Sequence, residues 1–182
     1  TTLVYLAGKQ ARYLVIDEND VSTQLINQFN LPIYNQAVWE LTEIQEGFPL
    51  LAENSLEQYI PQMLNLQAIN GISFTKGCYL GQETVARMKY LGKNKRALFA
   101  LSSENVTELN NPISAGDILE KQLGENWRKA GDVLASYKAD HQINIQAVLA
   151  SDVAEDTLFR LKTQPEVIFS VNQLPYSLNE ED

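Results

Sequence analysis

Lys76, Cys78 and the cations that follow them are the residues whose types and spacing could do chemistry in this chain. Cys78 is the single cysteine. Lys76 stands two residues before it, and in an extended backbone residues two apart point the same way. Gly77 between them permits a positive φ or a close backbone approach to a ligand. Gly81 allows a turn into a helix that the spacing starts near Gln82. A thiol just ahead of a helix N-terminus and beside an ammonium has its thiolate form favoured by both. The residue can equally be read as a small core hydrophobe, because free cysteines are among the most buried side chains.

The stretch from Phe74 to Arg96 carries Lys76, Arg87, Lys89, Lys93, Lys95 and Arg96 against one acid, Glu83, and so holds +5. The chain as a whole carries −9, which leaves −14 on the other residues. A local reversal of that size suggests an anionic partner. With Tyr90 interleaved, the cations could bind phosphates and stack a base, or grip a small polycarboxylate. They could also be a solvated helix end, where the dipole favours cations. Glu83 in a first helical turn is favoured by the dipole alone, and Arg87 four residues on predicts an ion pair worth ~0.3–0.5 kcal/mol.

Few other residues offer chemistry. Trp39 lies off the apolar stripe Val38, Leu41 and Ile44 of its segment, so it could face a cavity and stack on a planar ring, or belong to the core. Trp127 follows the turn Gly124-Glu125-Asn126 and reads as a strand residue covering a sheet. His141 sits in a turn beside Asp140. One histidine and one cysteine cannot build a zinc site, so no metal is expected, and no Ser-His-Asp or Cys-His triad is indicated.

The elements that must position these residues change character along the chain. Leu3 to Ala7 and Ala11 to Asp17 read as strands of a hairpin turning at Gly8-Lys9-Gln10. Asp20 caps a helix with Val21, Leu25, Ile26 and Phe29 on one side, and Asn30 and Pro32 end it. A second helix spans Ala37 to Glu46 and closes at Gly47. Leu56 to Ile60 is helix-like and stopped by Pro61. Asn65 to Ile69 is another short piece, Asn70-Gly71 a turn, and Ile72 to Phe74 a brief strand. Gln82 to Tyr90 is a helix. Beyond Arg96 come short β-runs at 97–101, 118–119, 129–136, 143–150, 157–161 and 166–171, spaced as in a small antiparallel barrel or sandwich. The fold class is therefore α+β, with a boundary near residue 96. No apolar run approaches the ~20 residues of a membrane-spanning helix, and there is no basic-then-apolar leader. A lone cysteine suits a reducing compartment, and acidity suits solubility more than a general nucleic-acid coat.

Lys76-Gly77-Cys78-Tyr79-Leu80-Gly81-Gln82-Glu83, continuing to Ala86-Arg87, resembles the signature of the YgfZ family, folate-binding proteins related to the aminomethyltransferase (T-protein) of the glycine cleavage system. The likeness extends through Gly71-Ile72-Ser73-Phe74, Asn94-Lys95-Arg96-Ala97-Leu98, Gly124-Glu125-Asn126-Trp127-Arg128 and Leu174-Pro175-Tyr176-Ser177-Leu178, and so covers essentially the whole chain. The resemblance implies residues 1–96 as the C-terminal part of a T-protein-like folate-binding region, 97–178 as a small β-barrel and 179–182 as an acidic tail. It implies tetrahydrofolate, or another folate, as cofactor. It also implies a cytoplasmic, monomeric accessory to tRNA modification that sustains iron–sulfur tRNA-modifying enzymes, with tRNA itself a possible partner. Cys78 with Lys76 would carry the chemistry, and Trp39, Gln45, Gly81 and Gln82 would hold folate. Relatives have a glutamate two residues before the glycine at 47, where this chain has Gln45 with Glu46 beside it. A carboxylate can accept two parallel bonds from an amino-pyrimidinone edge, an amide oxygen only at one atom. Relatives are also longer at the N-terminus and carry another folate-contacting aromatic there, so the chain is expected to be a fragment. Two other functions stay open: a folate-dependent one-carbon transferase, and a tRNA-binding module acting through residues 87–96.

Overall fold

The computed structural model describes residues 1–178 except 19, 75, 78, 91, 93, 105 and 107. The described chain divides into two compact units, Thr1–Trp39 and Glu40–Asp182. In the first, β1 (Thr2–Leu6) and β2 (Arg12–Ile16) form the expected antiparallel hairpin, with Tyr5 opposite Tyr13 and their rings 5.3 Å apart. α1 (Val21–Phe29) follows. The Asp20 side chain accepts from Thr23 N, and Asn30 closes the helix in the left-handed conformation that an asparagine tolerates. The next helix, α2 (Gln36–Glu46), contains the junction between the units.

The second unit is built on a closed barrel of six antiparallel strands. They are β3 (Arg96–Ser103), β4 (Ile118–Leu123), β5 (Asn126–Ala139), β6 (Gln142–Ala150), β7 (Phe159–Leu161) and β8 (Ile168–Asn172), in the spatial order β3-β6-β5-β4-β7-β8. Closure comes from β8 returning to β3, with Leu101 opposite Val171, which leaves no open edge for another chain to extend. Alternation along each strand sets the contents. Ala97, Phe99 and Leu101 of β3 point inward with Ile143, Ile145, Ala147 and Leu149 of β6, alongside Phe159 and Phe169. Each such large side chain contributes roughly 1.5–3 kcal/mol on burial. The opposite faces of the same strands are buried too: Leu98, Leu134 and Val148 pack under Leu64. Gly131 passes so close to the Val148 carbonyl that no Cβ fits between them.

The chain between α2 and the barrel differs from the sequence reading in two places. Leu56 to Ile60 is not helical; short 3₁₀ turns flank it at Glu53–Ser55 and Pro61–Leu64. Pro61 begins a turn instead of stopping one, because its fixed φ and missing N–H suit a first helical position. Ile72 to Phe74 forms no strand. α3 (Gln82–Tyr90) falls on its predicted span, and each barrel strand contains or overlaps its predicted run. No helix among the described residues is long and apolar enough to cross a membrane.

Candidate functional site

Trp39 lies on α2 in the first unit, with 37% of its surface exposed. The Arg12 guanidinium, on β2, lies 4.9 Å from the centroid of its ring. The pair is thus an indole, partly open to solvent, beside a guanidinium. Such a pair can stack a planar ring and hold a carboxylate.

The C-terminal end of α2 is anchored within the second unit. Gly47 adopts φ +66, and the amides of Gly47 and Phe48 bond back to Ile44 O and Glu43 O. This is the C′ position that the sequence assigned to it. A side chain there would strike Leu174 and the Tyr176 ring. Gln146 of β6, fully buried, clasps this end from the outer face of the barrel. Its amide donates to Phe48 O at 2.6 Å and Glu43 O at 3.2 Å, and its oxygen accepts from Leu50 N at 3.1 Å. Tyr176 donates to Gly47 O at 2.7 Å and accepts from Asn65 Nδ2 at 3.2 Å. Burial raises the Tyr176 pKa, with the Asn65 bond opposing, so the hydroxyl keeps its proton at neutral pH. Gln45 is half-buried here, whereas Glu43 and Glu46 are buried.

The signature stretch lies in the second unit. Lys76, Gly77, Tyr79 and Leu80 are exposed; Cys78 lies outside the described residues. Gly81 takes φ +89, a conformation that favours glycine, and Gln82 N bonds to Tyr79 O as α3 begins. α3 is held by Gln62, whose Nε2 donates to Val85 O at 2.7 Å. Among the described residues, no hydrogen bond links Gln45, Lys76 and Gln82. The expected Glu83–Arg87 ion pair does not form; both side chains are exposed, where such pairs gain little over solvation.

Two described cations of the basic run have contacts of their own. Arg96 turns onto the barrel and donates to Val148 O at 3.0 Å. Lys89 lies over the Phe74 ring at 4.1 Å and reaches Tyr90 at 5.8 Å. Arg87 and Lys95 are exposed, and Lys93 lies outside the described residues. Trp127 is half-buried on β5 beneath the Arg160 guanidinium at 4.5 Å, and Arg160 pairs with Glu120 across the β4–β7 ladder. His141 is exposed in the β5–β6 turn.

One feature escaped the sequence reading. A cavity of about 470 Å³ opens between α3, the Pro61–Leu64 turn and the start of the barrel, walled by Gln62, Gln67, Phe74, Lys89, Asn94 and their neighbours. The side-chain oxygens of Gln62 and Gln67 are buried and have no hydrogen-bond partner. Each such orphan costs about 1–3 kcal/mol. The signal that could have raised it is the concentration of carboxamides, Gln62, Asn65, Gln67 and Asn70, between Pro61 and Gly71.

Residues 94–164 match the family model described as the YgfZ beta-barrel domain. The chain is 56% identical over 179 residues to the tRNA-modifying protein YgfZ of Colwellia psychrerythraea, an alignment covering 98% of this chain and 54% of that relative. It is 42% identical over 188 residues to that of Yersinia enterocolitica, covering 100% of this chain and 54% of the relative. With that of Aliivibrio fischeri it shares 42% over 172 residues, covering 93% and 52%. The chain spans about half the length of the curated relatives it matches.

Proposed function

We propose that this chain is part of a YgfZ-family protein and works in tRNA modification within a folate-binding accessory protein that sustains iron–sulfur modifying enzymes. The observation that carries the reading is the alignment of 98% of the chain, signature included, with a relative named for tRNA modification. The open Trp39 ring with Arg12 beside it supports the folate part. Both fit the chemistry of a folate: an indole offers a face for a pterin or benzoyl ring, and a guanidinium suits the carboxylates of a glutamyl tail. Trp39 in the first unit and, separately, Gln45, Gly81 and Gln82 in the second are the residues that the family resemblance would assign to tetrahydrofolate, which when bound supplies nitrogens able to carry one-carbon units. Gln45 can donate and accept at a pterin edge, where the family glutamate only accepts. Cys78, four residues before Gln82 at the start of α3, would be the exchanging thiol, with Lys76 favouring its thiolate.

The folate reading is tested by titrating the protein with tetrahydrofolate while following tryptophan fluorescence. Quenching is expected in the parent and is expected to vanish in Trp39→Phe, where Trp127 is the remaining tryptophan. Trp39→Leu is expected to weaken binding about tenfold, the worth of a lost aromatic stack. Equal quenching in parent and Trp39→Phe would remove Trp39 from the site.

A further inference from the structure

The cavity beside α3 is not part of the folate reading and has its own chemistry. It is lined by carboxamides, an aromatic ring and a lysine, and no aspartate or glutamate is among its described lining residues, although the chain holds 23 acids against 14 bases. That composition suits a neutral heterocycle bearing an anionic group better than a cation. Three of the carboxamides are committed. Asn65 donates to Leu98 O at 2.8 Å and accepts from Leu98 N at 3.2 Å. Asn94 donates to Gln62 O at 2.7 Å and accepts from Arg96 N. Gln62 uses its amide nitrogen on Val85 O, which fixes its side chain and leaves its oxygen, 96% buried with the rest of the residue, in want of a donor. Gln67 is committed to nothing in the wall, and its oxygen likewise has no partner.

We propose that this cavity binds an adenine nucleotide, with Gln67 reading the base and Lys89 taking the phosphate. A glutamine carboxamide matches the adenine Hoogsteen edge, its oxygen accepting from N6–H and its nitrogen donating to N7. Phe74 offers the ring on which the base stacks. Its face now carries the Lys89 ammonium at 4.1 Å; when the base takes that place, the long exposed side chain swings onto the phosphate. Rotation of the Gln67 amide about its soft terminal torsion brings its oxygen to the base. A free mononucleotide and an unpaired adenosine of an RNA present this same chemistry.

The test uses the protein with adenosine 5′-monophosphate, inosine 5′-monophosphate and a tRNA anticodon stem-loop with an unpaired adenosine, by calorimetric titration. The adenine nucleotide is expected to bind at least about tenfold more tightly than the inosine one, which presents an acceptor where adenine has a donor. Gln67→Met is expected to lose about tenfold in affinity while its melting temperature rises, because the variant removes an unpaired buried oxygen. Phe74→Leu should also weaken binding, and Lys89→Gln should flatten its salt dependence. Tighter binding of the stem-loop identifies RNA as the source, and equal or weaker binding a free nucleotide. The proposal is overturned if neither adenosine monophosphate nor the stem-loop binds below about 1 mM, if inosine monophosphate binds as well as adenosine monophosphate, or if Gln67→Met leaves binding unchanged. Tetrahydrofolate quenching of Trp39 is read separately in each variant, so failure here and failure of the folate reading are distinguishable.

Discussion

Gln146→Leu is expected to destabilise the protein by about 3 kcal/mol, lowering its melting temperature by roughly 6–12 °C. Leucine nearly matches the volume of glutamine, so the change creates little cavity. What it removes is the set of bonds from one carboxamide to Leu50 N, Phe48 O and Glu43 O. These three backbone groups sit where α2 ends, and the variant has nothing to offer them in a barrel face from which water is excluded. Denaturant unfolding followed by circular dichroism measures the loss. Gln146→Glu should be worse at neutral pH, because its carboxylate would face two carbonyl oxygens without a proton to donate. A Gln146→Leu protein as stable as the parent would mean that the end of α2 is held by Tyr176 and apolar contact alone.

Cys78→Ser is expected to abolish support for methylthio-modified tRNA nucleosides while leaving tetrahydrofolate quenching of Trp39 intact. The substitution keeps size and polarity near those of the thiol. It removes ionisation near neutral pH and, with it, the nucleophile for exchange at a disulfide, a cluster ligand or another sulfur. Mass spectrometry of tRNA nucleosides, from cells that rely on this protein for the modification, reads the first outcome. The fluorescence titration reads the second. Full complementation by the serine protein would show that the thiol has no part in the function, and a joint loss of both activities would place Cys78 in the fold or the folate site instead.

Legibility followed the range of the interactions. α1 could be read because Asp20 and Asn30 are caps that act within one turn. α3 could be read because a glycine precedes it and another follows. The barrel strands could be read from their short apolar runs between turns. Pro61 misled because the same locked φ either ends a helix or begins one, and only the packing of Leu64 against Leu98 and Val148 selects the second. Arg96 read as one of a basic cluster because charge can be counted along a chain, whereas its direction cannot; it is spent on Val148 O. The part of Trp39 is implied by family resemblance alone; its exposure and the Arg12 guanidinium over its ring are tertiary facts that no local pattern shows.

By itself, then, the sequence determined most of the local elements, the α+β class and the thiol-bearing signature with its family resemblance, because caps, turns and periodic patterns act between residues close along the chain. Tertiary structure alone decided that β8 closes onto β3, that Gln146 and Asn65 tie the preceding segments to the barrel, and that Gln62, Gln67, Phe74 and Lys89 wall one cavity. Those contacts join residues far apart in sequence, and many pairings of the same strands satisfy the local pattern equally. The one adopted buries both faces of β3 and β6 and, among the described residues, leaves few buried side-chain polar atoms unpaired, a condition that belongs to the whole fold and to no segment of it.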